Sequence, residues 1–237
     1  MLRARVTSFV DQHGTAGLDN LLAELEKGDQ SAFEQLTRLL GLGCNAFFRG
    51  QSHFEVLAQH LRSRPAYRPI EIWCAGCASG EELYSIIMTA CEVFGTLTPP
   101  IHVVASDHDA QMLALAKKGA YTRAQIENLP TPFRRRFFRA TAQHGETVQI
   151  RPELRDLVTF RQIDLGTPGW AARPYFDAIF CRNTLHTLEW QMRANALANF
   201  DALLDEDGLL FVGQNDAVEQ ANATLAKLAP AVYRKKI

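Results

Sequence analysis

The chain has 237 residues, 47% of them hydrophobic, and a formal net charge of −1. That length supports one α/β domain with a sizeable core and a small appendage, and the near-neutral charge provides no whole-protein attraction to nucleic acid or an anionic membrane. No apolar run approaches the roughly 20 residues needed to cross a bilayer. The opening MLRARVTSFVDQ lacks a signal-peptide core and the five cysteines suit reduced thiols, so the expected compartment is the cytoplasm.

Residues 1–66 read as a helical N-terminal region. Leu21, Leu22 and Leu25 form one apolar stripe, and Phe33, Leu36, Leu39 and Leu40 form another behind a Ser31–Glu34 capping box. Gly41-Leu42-Gly43 stops that helix. Phe54, Leu57, Ala58 and Leu61 predict a third, ending near Pro65. Between them CNAFFRG, residues 44–50, places two phenylalanines and Arg49 in a loop, which reads as a hydrophobic plug carrying a surface cation.

From residue 67 the pattern becomes strand, glycine turn, helix. Ile70, Ile72 and Trp73 read as a buried strand. Gly76, Ala78 and Gly80 follow, and then Leu83, Ile86, Ile87, Ala90, Cys91 and Phe94 fall on one helical face. Such a turn lets backbone approach a ligand lying across a helix N-terminus. The dinucleotide fingerprint GxGxxG is absent, and a GxGxG-like turn with Ala in the middle suits a ligand without a pyrophosphate, such as S-adenosylmethionine (SAM). Cys74-Ala75-Gly76-Cys77 is formally a CxxC, but no second pair or His cluster accompanies it, so packing is the expected role and no metal site is expected.

Ile101–Ser106 predicts the second strand, with Asp107 at its carboxyl end, where α/β nucleotide folds hydrogen-bond ribose hydroxyls. Asp109 competes as the cap of the helix Ala110–Lys118, which Gly119 closes. Around Arg134, Arg135, Arg136 and Arg139 the alternation breaks, and Thr147–Arg151 looks like a short strand whose VQIR segment is a candidate for pairing with a partner's extended peptide. Alternation resumes with Val158–Ile163, Asp164-Leu165, the strand Asp177–Cys181, Arg182-Asn183, a helix over Glu189–Leu204, the strand Leu209–Val212 and an antiparallel terminal strand at Ala231–Arg234.

Residues 44–216 resemble the chemoreceptor glutamate methyltransferase (CheR) family, through Phe47-Phe48-Arg49, WCAGCASGEELYS at Trp73–Ser85, ASDHD at Ala105–Asp109, FDAIFCRN at Phe176–Asn183 and DGLLFVG at Asp207–Gly213. The resemblance implies a class I SAM-dependent methyltransferase fold, α/β and Rossmann-like with a mostly parallel sheet over residues 67–237, a helical N-terminal region and a small β-subdomain inserted at about 140–160. It implies SAM as donor, S-adenosylhomocysteine (SAH) as product, and cofactor contacts from Asn45, Arg49, Gly76, Ser79, Gly80, Glu81, Glu82, Asp107, Asp164, Leu165, Arg182 and Asn183. Arg49, Thr187 and His186 are the residues expected at the reacting centre, and the partner is a chemoreceptor or related signalling protein docking on the subdomain. The chain departs from the family pattern at Gly43 and Asn45, at Leu83 in place of a proline, and at Thr187 in place of a tyrosine. Two readings therefore stand: a protein-glutamate O-methyltransferase, and a SAM- or SAH-binding regulatory module that has lost turnover.

Overall fold

The computed structural model describes residues 14–24, 46–64, 68–141, 147–167, 175–182, 184–213, 216, 218 and 224–235. The chain divides into two units, Met1–Asn45 and Ala46–Ile237. The division falls some twenty residues before the expected boundary at 66, because the third predicted helix packs in the second unit. In the first unit residues 14–24 form a helix, α1, in which Leu21 is buried while Leu22 is 47% exposed, so the two leucines do not share one stripe. Leu25, the second stripe and its capping box lie outside the described residues.

The second unit is built on a seven-stranded sheet in the order β6-β2-β1-β7-β8-β10-β9. Its strands are β1 (Ile70–Ala75), β2 (Ile101–Asp107), β6 (Val158–Gln162), β7 (Phe176–Cys181), β8 (Leu204–Val212), β9 (Leu225–Ala229) and β10 (Val232–Lys235). β6, β2, β1, β7 and β8 run parallel, and β10 is antiparallel to β8 and to β9.

Alternation across the sheet explains why the central strands read as unbroken apolar runs. Ile70, Ile72 and Cys74 of β1 enter one core with α2 (Gln51–Ser63) and α3 (Glu81–Phe94), whereas Trp73 and Ala75 enter a second core with α7 (Trp190–Leu203). β7 does the same, with Ala178 and Phe180 on one face and Ile179 and Cys181 on the other. A strand covered on both faces has no polar side to show. Asp109 caps α4 (Ala110–Lys118) by accepting the Gln111 N–H at 2.7 Å.

The amino edge of the sheet is tied by charge. Asp177, wholly buried, pairs with Arg64, takes two hydrogen bonds from Arg68 at 2.8 and 3.0 Å, and accepts the Glu71 N–H at 2.8 Å. A buried carboxylate persists only when paired and hydrogen-bonded in this way.

Between β2 and β6 the chain forms a separate three-stranded antiparallel sheet, β3-β5-β4, from Ala120–Thr122, Thr147–Ile150 and Phe138–Ala140, with α5 (Thr131–Phe137) between β3 and β4. The inserted sheet thus draws on residues 120–150 rather than about 140–160. Val158–Gln162 belongs to the main sheet beside β2. A helical turn, α6 (Pro152–Arg155), leads back to it. The VQIR segment is also corrected: β5 is the central strand, with both its sides paired, and the open edges are β3 and β4. Among the described residues no helix is long and apolar enough to cross a membrane.

Candidate active site

The carboxyl ends of β1, β2 and β7 meet at one cavity of about 200 Å³, lined by Gly76, Asp107, His108, Ile163, Asp164, Leu165, Thr184, Thr187 and Leu188. Five of these, Gly76, Asp107, Asp164, Leu165 and Thr187, were expected from sequence. The turn after β1 bends back over β2: the N–H groups of Gly76 and Cys77 both donate to the Ser106 carbonyl at 2.8 Å. Gly76 has φ +78°, and a Cβ there would overlap the Thr184 hydroxyl. Only glycine meets both conditions.

Asp107 is 6% exposed and organises this corner. Its Oδ2 accepts the Ala78 N–H at 2.9 Å, its Oδ1 accepts the Asp109 N–H at 3.0 Å, and His108 Nδ1 stands 3.2 Å from Oδ1. A carboxylate offers about four acceptor directions, so capacity toward the cavity is left after these contacts. Asp164 turns its Oδ1 onto the Gly166 N–H at 2.8 Å, shaping the loop that carries Ile163 and Leu165.

Beside the cavity lies a charged group from three elements. Arg182, at the end of β7, donates to Glu82 of α3 at 2.7 Å, and its Nη2 would lie 2.8 Å from a Cβ on Gly50. Burial raises the Glu82 carboxyl above its ordinary range, against the opposing pull of the Arg182 and Arg49 guanidiniums. Arg49 itself is exposed, on a loop anchored by the two phenylalanines. Phe47 packs edge-on to Tyr121 and Phe138 at 4.9 and 5.5 Å, Phe48 packs on Phe54 and Phe133 at 5.2 and 5.7 Å, and the Phe48 N–H donates to Ser85 Oγ at 2.9 Å. The plug and its surface cation are both present.

Some expected residues stand apart. Glu81, 2% exposed, accepts from Ser79 Oγ at 2.6 Å and Gln125 Nε2 at 3.4 Å, and burial raises its carboxyl. Tyr121 donates to the Ser79 carbonyl at 2.9 Å, tying the glycine turn to the inserted segment. Ser79, Gly80 and Glu81 therefore support the turn from beneath and do not line the cavity. Asn45 and Asn183 lie outside the described residues. The CxxC thiols are buried, Cys77's pushed up to about 12 by burial and the Asp107 charge, which leaves it a poor thiolate. Among the described residues no group of three His, Cys, Asp or Glu is placed to hold a metal.

The turn after β7 holds a further contrast with expectation. Thr187 Oγ1 donates to the Thr184 carbonyl at 2.7 Å, so its hydroxyl is engaged within its own turn. His186 is about half exposed and stands 3.8 Å from Asp216, an acid not anticipated from the sequence. The signal for Asp216 was present: it follows the carboxyl end of β8 as Asp107 ends β2. Nothing in the sequence marks His108, Ile163, Thr184 or Leu188 as cavity residues, although each adjoins a residue that it does mark.

Ile163, Leu165 and Leu188 offer apolar walls beside the buried Asp107 carboxylate, an acceptor, and this lining fits an adenosine-bearing ligand. Comparison with known proteins identifies the ligand. The family described as CheR methyltransferase, SAM binding domain, matches residues 44–233. Chemotaxis protein methyltransferase 2 of Pseudomonas aeruginosa is 36% identical over 210 residues, spanning 88% of this chain and 74% of that protein. The chemotaxis protein methyltransferase of Escherichia coli is 35% identical over 236 residues, spanning 98% and 82%. Among solved structures, a TehB-like SAM-dependent methyltransferase from Corynebacterium glutamicum is 16% identical with a TM-score of 0.46, over 87% of this chain and 97% of that one. This chain belongs to the CheR methyltransferase family, with a class I SAM-dependent methyltransferase fold and SAM as its cofactor.

Proposed function

We propose that this protein acts in the cytoplasm and moves the methyl group of SAM to a glutamate side chain of a chemoreceptor or related signalling protein, forming a methyl ester. The observation carrying this reading is the convergence of Gly76, Asp107, Asp164, Leu165 and Thr187 on one cavity, in a chain 36% and 35% identical to two chemotaxis protein methyltransferases. Asp107 is assigned to the ribose hydroxyls, and the Asp164–Leu165 loop with Ile163 to the flat base. The Gly76 turn, held from behind by Ser79, Gly80 and Glu81, the Glu82–Arg182 pair and, by family resemblance, Asn45 and Asn183 complete the proposed binding set.

Bound SAM supplies a methyl group on a positively charged sulfur. With a reference pKa of about 4.3 a solvated glutamate is already an anion at neutral pH, so no base is required. The protein's task is to align the carboxylate and exclude water, and alignment of that kind is worth about 7–11 kcal/mol. Arg49 is assigned to the carboxylate, since a guanidinium holds two oxygens in one fork where an ammonium cannot. For docking, the β4 edge of the inserted sheet replaces the VQIR strand as the place where an extended receptor segment adds. There Arg123, Arg134, Arg135 and Arg139 surround a hollow of about 270 Å³ whose lining includes Ile126, Phe138 and Val148, a surface suited to an acidic peptide with an aromatic side chain.

One observation favours the second reading, a SAM- or SAH-binding module without turnover: the Thr187 hydroxyl is occupied by the Thr184 carbonyl. Transfer of labelled methyl to cognate receptor, with calorimetric titration of SAH alongside, separates the two. Under the enzyme reading Arg49→Lys cuts transfer far more than it weakens SAH binding, and Thr187→Tyr leaves transfer unchanged or raises it. If neither wild type nor Thr187→Tyr methylates any receptor while both bind SAH, the enzyme reading is lost and the binding module stands.

A further inference from the structure

His186 sits in a turn that its neighbours hold from three directions. The Thr187 N–H and hydroxyl both donate to the Thr184 carbonyl, at 3.0 and 2.7 Å, and Leu185 is wholly buried. From α7, Arg193 Nε donates to the Leu185 carbonyl at 3.0 Å and its Nη2 to the Leu188 carbonyl at 3.2 Å. The backbone of His186 is thereby fixed between Thr184 and Thr187, two residues that line the cavity, and its ring is about half exposed.

Beneath the ring lies Asp216, its side chain 1% exposed. One carboxylate oxygen is held firmly, Oδ2 accepting the Gly213 N–H at 2.7 Å. The other, Oδ1, is buried and makes no hydrogen bond of good geometry among the described residues; the His186 backbone N–H approaches the carboxylate, and His186 Nδ1 stands 3.8 Å from Oδ1. Buried carboxylate oxygens left unpaired are costly, and those that persist call for an explanation. A small rotation of the half-exposed ring would bring an Nδ1–H within hydrogen-bonding distance. The other charged or titratable groups facing it are Arg193 and the Cys181 thiol.

We propose that Asp216 is a positioning residue that holds the His186 imidazole by its Nδ1–H at the cavity mouth, so that the Nε2–H grips the carboxylate of the glutamate to be methylated. This rests on the methyl-transfer reading and fills the place that the engaged Thr187 hydroxyl leaves open. An imidazolium donates from both nitrogens, one toward each carboxylate. Since ester formation from an ionised carboxylate moves no proton, the ring orients its substrate and is not a base.

The test uses full-length protein labelled with 15N-histidine and saturated with SAH, with His186 assigned by the signals that His186→Gln removes. In the wild type the ring should show N–H signals at both nitrogens, with the Nδ1–H hydrogen-bonded to Asp216, and in Asp216→Asn that Nδ1–H signature should be lost. Both single variants should lower kcat on cognate receptor by roughly 10- to 100-fold, with SAH affinity changed less than about twofold, and the double variant should be no slower than either. Ring signals that ignore Asp216→Asn overturn the proposal, as do additive losses. Should Asp216→Asn fail to fold, the exposed His186→Gln decides, and an unchanged kcat there overturns it. A wild type with the Nδ1–H held by Asp216 but no turnover keeps the pair and defeats the methyl-transfer reading instead.

Discussion

Replacing Gly76 with alanine tests the glycine turn most directly, because the structure separates two costs and supplies a control for one of them. At φ +78° an L side chain is in the left-handed region, which costs about 1–2 kcal/mol. The new Cβ would also fall well inside the 3.0 Å that real Cβ atoms keep from a neighbour, against the hydroxyl of Thr184. That hydroxyl is on a short β-branched side chain, so relief requires moving the turn itself, at about 1–3 kcal/mol for overpacking. Gly95, which closes α3, has φ +69° with nothing within 4 Å of its would-be Cβ, so Gly95→Ala carries the conformational cost alone. Urea and thermal denaturation should place Gly76→Ala about 1–3 kcal/mol below Gly95→Ala, a further loss of about 2–12 °C in Tm for a chain of this size. Because Gly76 and Thr184 both line the cavity, calorimetry should find SAH binding at least tenfold weaker in Gly76→Ala and normal in Gly95→Ala. Adding Thr184→Ala to Gly76→Ala should recover the stability difference. Equal destabilisation by the two single variants, or wild-type SAH affinity in Gly76→Ala, would refute the packing argument.

Three further outcomes follow from particular residues. Burial raises the Glu81 carboxyl, so its ionised form weakens the fold; that penalty is absent below the ordinary carboxylate range and fully present once pH has risen through the raised value. Glu81→Gln should therefore be more stable than wild type in urea at pH 7, and the gain should vanish near pH 4. Asp107→Ala should weaken SAM by about 1–3 kcal/mol in a calorimetric titration and lower stability too, since it strips the Ala78 and Asp109 N–H groups of their acceptor; unchanged affinity would move the ribose site elsewhere. Charge reversal at Arg135 should weaken an acidic receptor-tail peptide in fluorescence polarisation while leaving SAH binding intact, and equal binding by the variant would remove the β4 groove from the docking surface.

Local chemistry was enough to read most of the nucleotide-type half of this protein from its residues. β1 and β7 are covered on both faces and so appear as apolar runs, the stripe of α3 marks part of a helix that is buried on nearly every side from Leu83 to Cys91, and Asp109 caps α4 within its own few residues. The positions that define the cavity were legible for the same reason: Asp107 ends a strand and Gly76 and Asp164 closely follow one, where backbone turns and side chains collect. What lay beyond reach depended on pairing between distant segments. Whether VQIR is an edge or a centre is decided by Ala120–Thr122 and Phe138–Ala140, which contribute three residues each and carry too little periodicity to announce themselves. The space over Gly76 is filled by Thr184, more than a hundred residues away. Asp216 comes beneath His186 only because β8 runs beside β7 and both chains leave the sheet at the same edge. Composition and spacing determine which side chains can bury and where the chain turns; which buried acid meets which ring is set by strand order, and that is a property of the assembled sheet.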